Sequence, residues 1–357
     1  MRGRITLAFA ALVATSALAK EGGAIPASFF KLQSAVKLAG KSPDWDYLAY
    51  DSTRHRLFIA RRDDGLWVYD TVAQKLITKL PKSAGAGATL LVPSVGRGFT
   101  TNEDGSTTVF ALGTLKVIAR QKFAEDADSA SFDPLTRQVA FISADSQKMT
   151  MMDAKTLKVG QSVALAAKKA DGSAADGAGH ILLAERDRNM LARIDVASAK
   201  VTDEWPIAGC VQPTGLAYDA AHHRAFVGCR SSKPVFAVMN TDTGATITTL
   251  DLGRGNDGVV YDAKRQNIIT TNGVDAIIVV YHQDDADHYH MLQAVTTRPN
   301  ARTMAYDEAA QKVFTVTAEG VVDPLLKVNT GPSPFYPNGY YDDSFTVLTY
   351  SPNKISK

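Results

Sequence analysis

The residues with the chemistry to build a site recur at one spacing. Asp46, Asp128, Thr214, Asp257 and Arg302 each stand five residues before an Asp, at positions 51, 133, 219, 262 and 307. Three of the five are carboxylates. Gathered around one narrow opening, Asp46, Asp128 and Asp257 would offer the hard oxygen ligands that suit Ca²⁺ or Mg²⁺. Asn102 and Asn256 would add neutral oxygens. The same five positions could instead receive a cationic or polar organic ligand. The competing use of these Asp side chains is structural: they cap turns, or pair with Arg302 and Arg254.

Four further groups carry chemistry. Arg61, Arg62, Glu185, Arg186, Arg188 and Arg230 could fork onto phosphates or carboxylates, but neighbouring Asp63, Asp64 and Asp187 favour a self-paired surface. The run from Tyr281 to His290 places His282, His288 and His290 among acids and resembles a metal tract. Residues 320–343 contain Pro332, Pro334, Phe335, Tyr336, Pro337, Tyr340 and Tyr341. Such aromatics could stack unpaired bases. Lys327 is the only cation there, so a lid or contact loop built from Phe335, Tyr336, Tyr340 and Tyr341 is the better reading. Cys210 and Cys229 are the only cysteines. The sequence contains no phosphate-cradling Gly-rich loop, nucleophile elbow or His-Glu-x-x-His, and no catalytic residue is assigned.

The elements that must position these groups are repeats. One copy reads Tyr47-Leu-Ala-Tyr-Asp51, Arg56-Leu-Phe-Ile-Ala60, Leu66-Trp-Val-Tyr-Asp70, followed by Lys75-Leu-Ile-Thr-Lys-Leu80. Further copies are anchored at Asp133, Asp219, Asp262 and Asp307, and weaker ones lie around Leu91 to Leu112 and His180 to Val196. The period is about 43 residues, giving about seven units of four β-branched and aromatic runs. This predicts an all-β, seven-bladed β-propeller of four-stranded blades over residues 28–351. The last unit supplies three strands only. The run at 30–38 resembles a fourth strand, so it is expected to complete blade seven and remove two exposed edges. In this register the five spaced residues fall at the channel mouth. The His tract falls on the opposite face, in an ordinary polar hairpin. Cys210 and Cys229 fall at neighbouring strand ends, where a disulfide is geometrically feasible.

The first 19 residues hold a basic start, a short apolar run and Ala17-Leu18-Ala19, the pattern of a signal peptide. Residues 20–27 read as a linker and 352–357 as a tail. Export to the periplasm or beyond would permit the disulfide, and no later run is long and apolar enough to span a bilayer. Of 357 residues, 45% are hydrophobic and 21% charged, ample for a packed core. Removing residues 1–19 takes away Arg2 and Arg4 and reduces the formal charge from +2 to zero. A global electrostatic case for nucleic acid therefore fails.

The blade pattern resembles the YVTN family of β-propeller repeat proteins (YncE-like). The resemblance rests on Pro213-Thr-Gly-Leu-Ala-Tyr-Asp219 with Arg224-Ala-Phe-Val-Gly228, on Trp205-Pro-Ile-Ala-Gly-Cys210, and on Ala301-Arg-Thr-Met-Ala-Tyr-Asp307. It implies exported seven-bladed propellers, at least one of them associated with DNA binding, and it carries no catalytic residues over. The expected function is a monomeric binding scaffold for a protein or small molecule on the channel-mouth face. A divalent-metal-assisted lactonase or lyase in the channel is the alternative. DNA binding is the second alternative.

Overall fold

The computed structural model describes residues 30–41, 44–326 and 337–353. The expected signal peptide (1–19), the linker (20–27), Lys327, Pro332, Pro334, Phe335, Tyr336 and residues 354–357 lie outside the described residues. Seven four-stranded antiparallel sheets form the blades of a β-propeller. Blades one to six occupy residues 48–79, 86–122, 129–164, 170–206, 213–251 and 256–296. Blade seven takes Met304–Asp307, Lys312–Thr317 and Thr346–Pro352, and its outermost strand is Phe30–Lys37. The register runs from Phe30 opposite Pro352 to Lys37 opposite Thr346. The N-terminal strand thus closes the ring as expected.

Strand position explains the residue pattern. Middle strands are covered on both faces by neighbouring blades, so Arg224–Cys229 is buried at every position. Outermost strands have one wet face, so Lys75–Lys79 alternates. There is no single core. Seven apolar clusters fill the seven inter-blade gaps, and the one between blades seven and one joins Trp45 and Trp67 to Phe314 and Phe345.

The Tyr-Asp signature has two jobs. The Asp caps the turn between the first two strands: Asp51 accepts from Thr53 N at 3.1 Å, and Asp307 from Ala309 N at 3.1 Å. The Tyr reaches across to the preceding blade, where the Tyr306 hydroxyl donates to Asp262 at 2.7 Å. The Cys210–Cys229 disulfide forms, with Cα atoms 5.4 Å apart. No helix among the described residues is long and apolar enough to cross a membrane.

Candidate functional site at the channel mouth

Each innermost strand meets the mouth at its start, and several are bulged there. The ladder shifts between Ala86 and Thr89, Ala170 and Ser173, Pro213 and Leu216, and Asn256 and Gly258. A bulge re-aims the side chain it carries. The result is a chamber of about 270 Å³ lined from every blade except the second. Its walls include Asp44, Asp46, Tyr47 and Arg62 of blade one, and Asp128 and Asp145 of blade three. Lys169, Asp171 and Arg186 of blade four, Arg230, Asp257 and Arg302 complete it. Below lies a narrower throat of about 170 Å³ with small walls, including Ala88, Ser129, Gly172, Ser173 and Gly258.

Four of the five residues expected at the mouth therefore meet there: Asp46, Asp128, Asp257 and Arg302. Thr214 does not. It is fully buried between blades five and six, and its hydroxyl donates to Asn256 O at 2.9 Å. The same hydroxyl lies 3.2 Å from Gly228 O, so the short side chain is spent on backbone carbonyls inside the wall.

Arginines neutralise the carboxylates one by one. Asp46 pairs with Arg62 at 2.5 Å. Asp257, almost completely buried, is clamped by Arg230 and by Arg302 Nε at 3.1 Å. Arg302 also donates to Asp44 at 3.3 Å and to Trp45 O, tying blade seven to blade one. Arg230 Nε donates to Asn256 O at 2.7 Å. The Tyr47 hydroxyl donates to Asp171, which lies 3.7 Å from Arg186. Burial pushes the Asp46 carboxyl up against the pull of Arg62 and Arg302, and it pushes the Tyr47 phenol well up.

Asp128 differs from these. It is exposed to the chamber, yet the chamber walls displace part of its water, and Ala144 N donates to it at 2.9 Å. That desolvation pushes its carboxyl up to about 7, with Asp126 and Asp171 adding to the rise.

Asp46, Asp128 and Asp257 thus share one chamber but sit in three separate arrangements. Among the described residues, no group of three or more His, Cys, Asp or Glu is set to hold a metal ion. Asn102 and Asn256 are fully buried inside blades and do not line the chamber. Asn256 donates to Gly258 O at 3.1 Å and Thr271 O at 3.0 Å. Its carboxamide lies where a Cβ on Gly228 would stand, which is why that position has no side chain.

The second basic set divides. Arg62, Arg186 and Arg230 line the chamber. Arg61 is fully buried between the Trp67 and Phe345 rings, 4.3 and 3.6 Å from their centroids, and burial pulls its guanidinium down to about 10. Arg188 bridges Glu185 and Glu204. Pairing is internal as expected, with other partners than the adjacent acids: Asp64 binds Lys79 at 2.9 Å, and Asp187 accepts from Lys168 N at 3.0 Å.

The insertion at 320–343 returns to the rim. The Tyr340 ring lies 5.0 Å from Trp45, and its hydroxyl accepts from Asn300 Nδ2 at 2.6 Å. Trp45 stands between the chamber residues Asp44 and Asp46. Tyr341 is exposed.

Asp171, Tyr47, Lys169 and Asp145 escaped the sequence reading. Asp171 stands five residues before Asp176, which caps its own turn by accepting from Ala178 N at 2.7 Å. The spacing was present; the fourth unit has Ala175 where the recognised units carry Tyr or Phe before the Asp.

The fold and mouth define a seven-bladed β-propeller with an ionic chamber. The chain superposes on one in the crystal structure of the mitotic checkpoint complex, with TM-score 0.71 at 10% identity, covering 90% of this chain and 94% of that one. It also superposes on one in Kuenenia stuttgartiensis hydrazine synthase, with TM-score 0.66 at 12% identity, covering 78% and 94%. Neither a protein-family model nor a curated protein matches the sequence. These likenesses are of fold alone.

Proposed function

We propose that this chain is an exported binding scaffold, periplasmic or secreted and similar to the YVTN propellers, that takes a small polar ion into the channel-mouth chamber. The observation that carries the reading is the convergence of charged side chains from six blades on one opening of about 270 Å³. A rigid ring holds those groups, so a ligand meets them already placed, and pre-organisation lowers the cost of binding. Among the described residues the Asp128 carboxylate accepts only from Ala144 N, and Arg186 stands 3.7 Å from Asp171, so these two groups of opposite sign would make the first contacts. Six carboxylates against five cationic groups leave no basic surplus for a phosphate backbone. The insertion anchored through Tyr340 on Trp45 would form a contact loop at the rim, with Phe335, Tyr336 and Tyr341 available to it.

The test is a thermal-shift screen of small organic cations, anions and zwitterions against the full chain, repeated with Asp128→Asn and Arg186→Gln. A hit whose shift is lost in either variant supports the reading. A hit unchanged in both places the ligand elsewhere and overturns it, as does the absence of any hit.

A further inference from the structure

The His tract sits outside everything used so far. It spans the hairpin between the third and fourth strands of blade six, Ile277–Gln283 and Tyr289–Thr296. His282 and His290 are directly opposite across that ladder, so they share one face. Their ring centroids lie 5.6 Å apart. Two imidazoles on one zinc ion, each at about 2.0–2.1 Å, hold their centroids roughly 5–6 Å apart.

The other ring nitrogens are already engaged. His290 Nδ1 lies 2.7 Å from Asp284 Oδ2, and a carboxylate can only accept, so the proton is on Nδ1. His282 Nδ1 lies 3.0 Å from Asn267 Oδ1, its cross-strand neighbour on the other side. Both arrangements put the proton on Nδ1 and leave the lone pair on Nε2. Neither Nε2 has a hydrogen-bond partner among the described residues. A carboxylate or carbonyl behind the imidazole is the second support that metal-binding histidines need. His288 is held away by Asp285, 2.9 Å from its Nδ1.

We propose that the blade-six hairpin is a site for a late first-row divalent cation of the Zn²⁺ or Cu²⁺ class, with His282 Nε2 and His290 Nε2 as its protein ligands and Asp284 and Asn267 orienting the rings. Two protein ligands leave positions for water or for a ligand from a partner. The affinity is therefore that of an open site, and Cu²⁺ binds more tightly than Zn²⁺. Binding clips the two outer strands of the blade together.

The test is calorimetric titration of the tag-free full chain with Zn²⁺ alone, at about pH 7.5, where free imidazoles are mostly unprotonated. One saturable equivalent is expected. His290→Ala and His282→Ala each weaken it about tenfold or more, and Asp284→Asn by roughly tenfold through the lost support behind His290. His288→Ala and His223→Ala stay close to the native chain. His290 is half exposed, so its variant keeps the fold even if that of His282 does not. No saturable binding overturns the proposal. So does binding retained in His290→Ala, or binding lost in His288→Ala.

Discussion

Asp257 is the residue whose removal most directly tests the reading of the chamber. Its side chain is 8% exposed, and those of its partners Arg230 and Arg302 are 10% and 12% exposed. Asp257→Asn keeps the shape and removes the charge. Arg302 retains Asp44 and Trp45 O, so the loss falls mainly on Arg230, whose other recorded acceptor is Asn256 O. Breaking one buried pair while leaving the other charge in place costs about 3–5 kcal/mol. At an unfolding entropy of about 2.1 cal/mol/K per residue, that is a fall in Tm of roughly 4–7 °C for a chain of this length. The comparator is Glu103→Gln, which removes the rim partner of Arg62. Glu103 is 52% exposed, and such pairs contribute below about 1 kcal/mol. Both variants are measured by chemical denaturation against the native chain, with Tm as a second readout. If Asp257→Asn falls within the range of Glu103→Gln, the chamber charges are screened by water like surface charges, and the argument for a pre-organised ionic site fails.

Other expectations follow from single features. Burial raises the Glu185 carboxyl from its ordinary value of 4.5 to about 7. Folding therefore favours its neutral form, and this contribution, complete below about 4.5, is lost as the pH rises through about 7. Glu185→Gln should gain stability relative to the native chain across that window; parallel denaturation profiles for the two would refute it. Replacing Cys210 and Cys229 together by Ala opens a link spanning 19 residues and should cost about 3 kcal/mol. An unchanged denaturation midpoint would show that the blade needs no staple. Tyr340→Ala removes the ring that rests on Trp45 and should speed proteolysis within 320–343 several-fold while costing about 1–2 kcal/mol. Equal cleavage rates would mean that the insertion is held by other contacts.

The architecture was legible because its rules are local. A Tyr-Asp pair, a short turn and a β-branched run specify one hairpin, and repetition multiplies the signal. The same counting located Asp46, Asp128, Asp257 and Arg302 at the mouth without any knowledge of packing. It failed at Thr214 because that short side chain is taken up by Gly228 O and Asn256 O inside the wall, and spacing says nothing of a side chain's reach. It missed Asp171 because Ala175 stands before Asp176 where the recognised units have Tyr or Phe. It misjudged Arg61, whose covering ring Phe345 comes from the far end of the chain. Asp46 takes Arg62 from its own blade, whereas Asp257 takes Arg230 and Arg302 from the blades on either side; the spacing offered Arg302 as a partner but gave no sign of Arg230.

Ring closure also sets an order of events during synthesis. The strand Phe30–Lys37 finds its partner, Thr346–Pro352, only after all the blades between them have been made. Until then blade seven lacks its two outer strands, and the cluster that seats Trp45 and Trp67 against Phe345 cannot assemble. Pairings of such separation are slow to form because loop closure precedes any gain from contact. A nascent chain is therefore kept from completing its tertiary structure by its own topology. If the proposed export takes the chain across a membrane unfolded, that delay keeps it threadable until Thr346–Pro352 is made. A chain truncated near its end would carry unpaired strand edges instead, and should aggregate rather than accumulate.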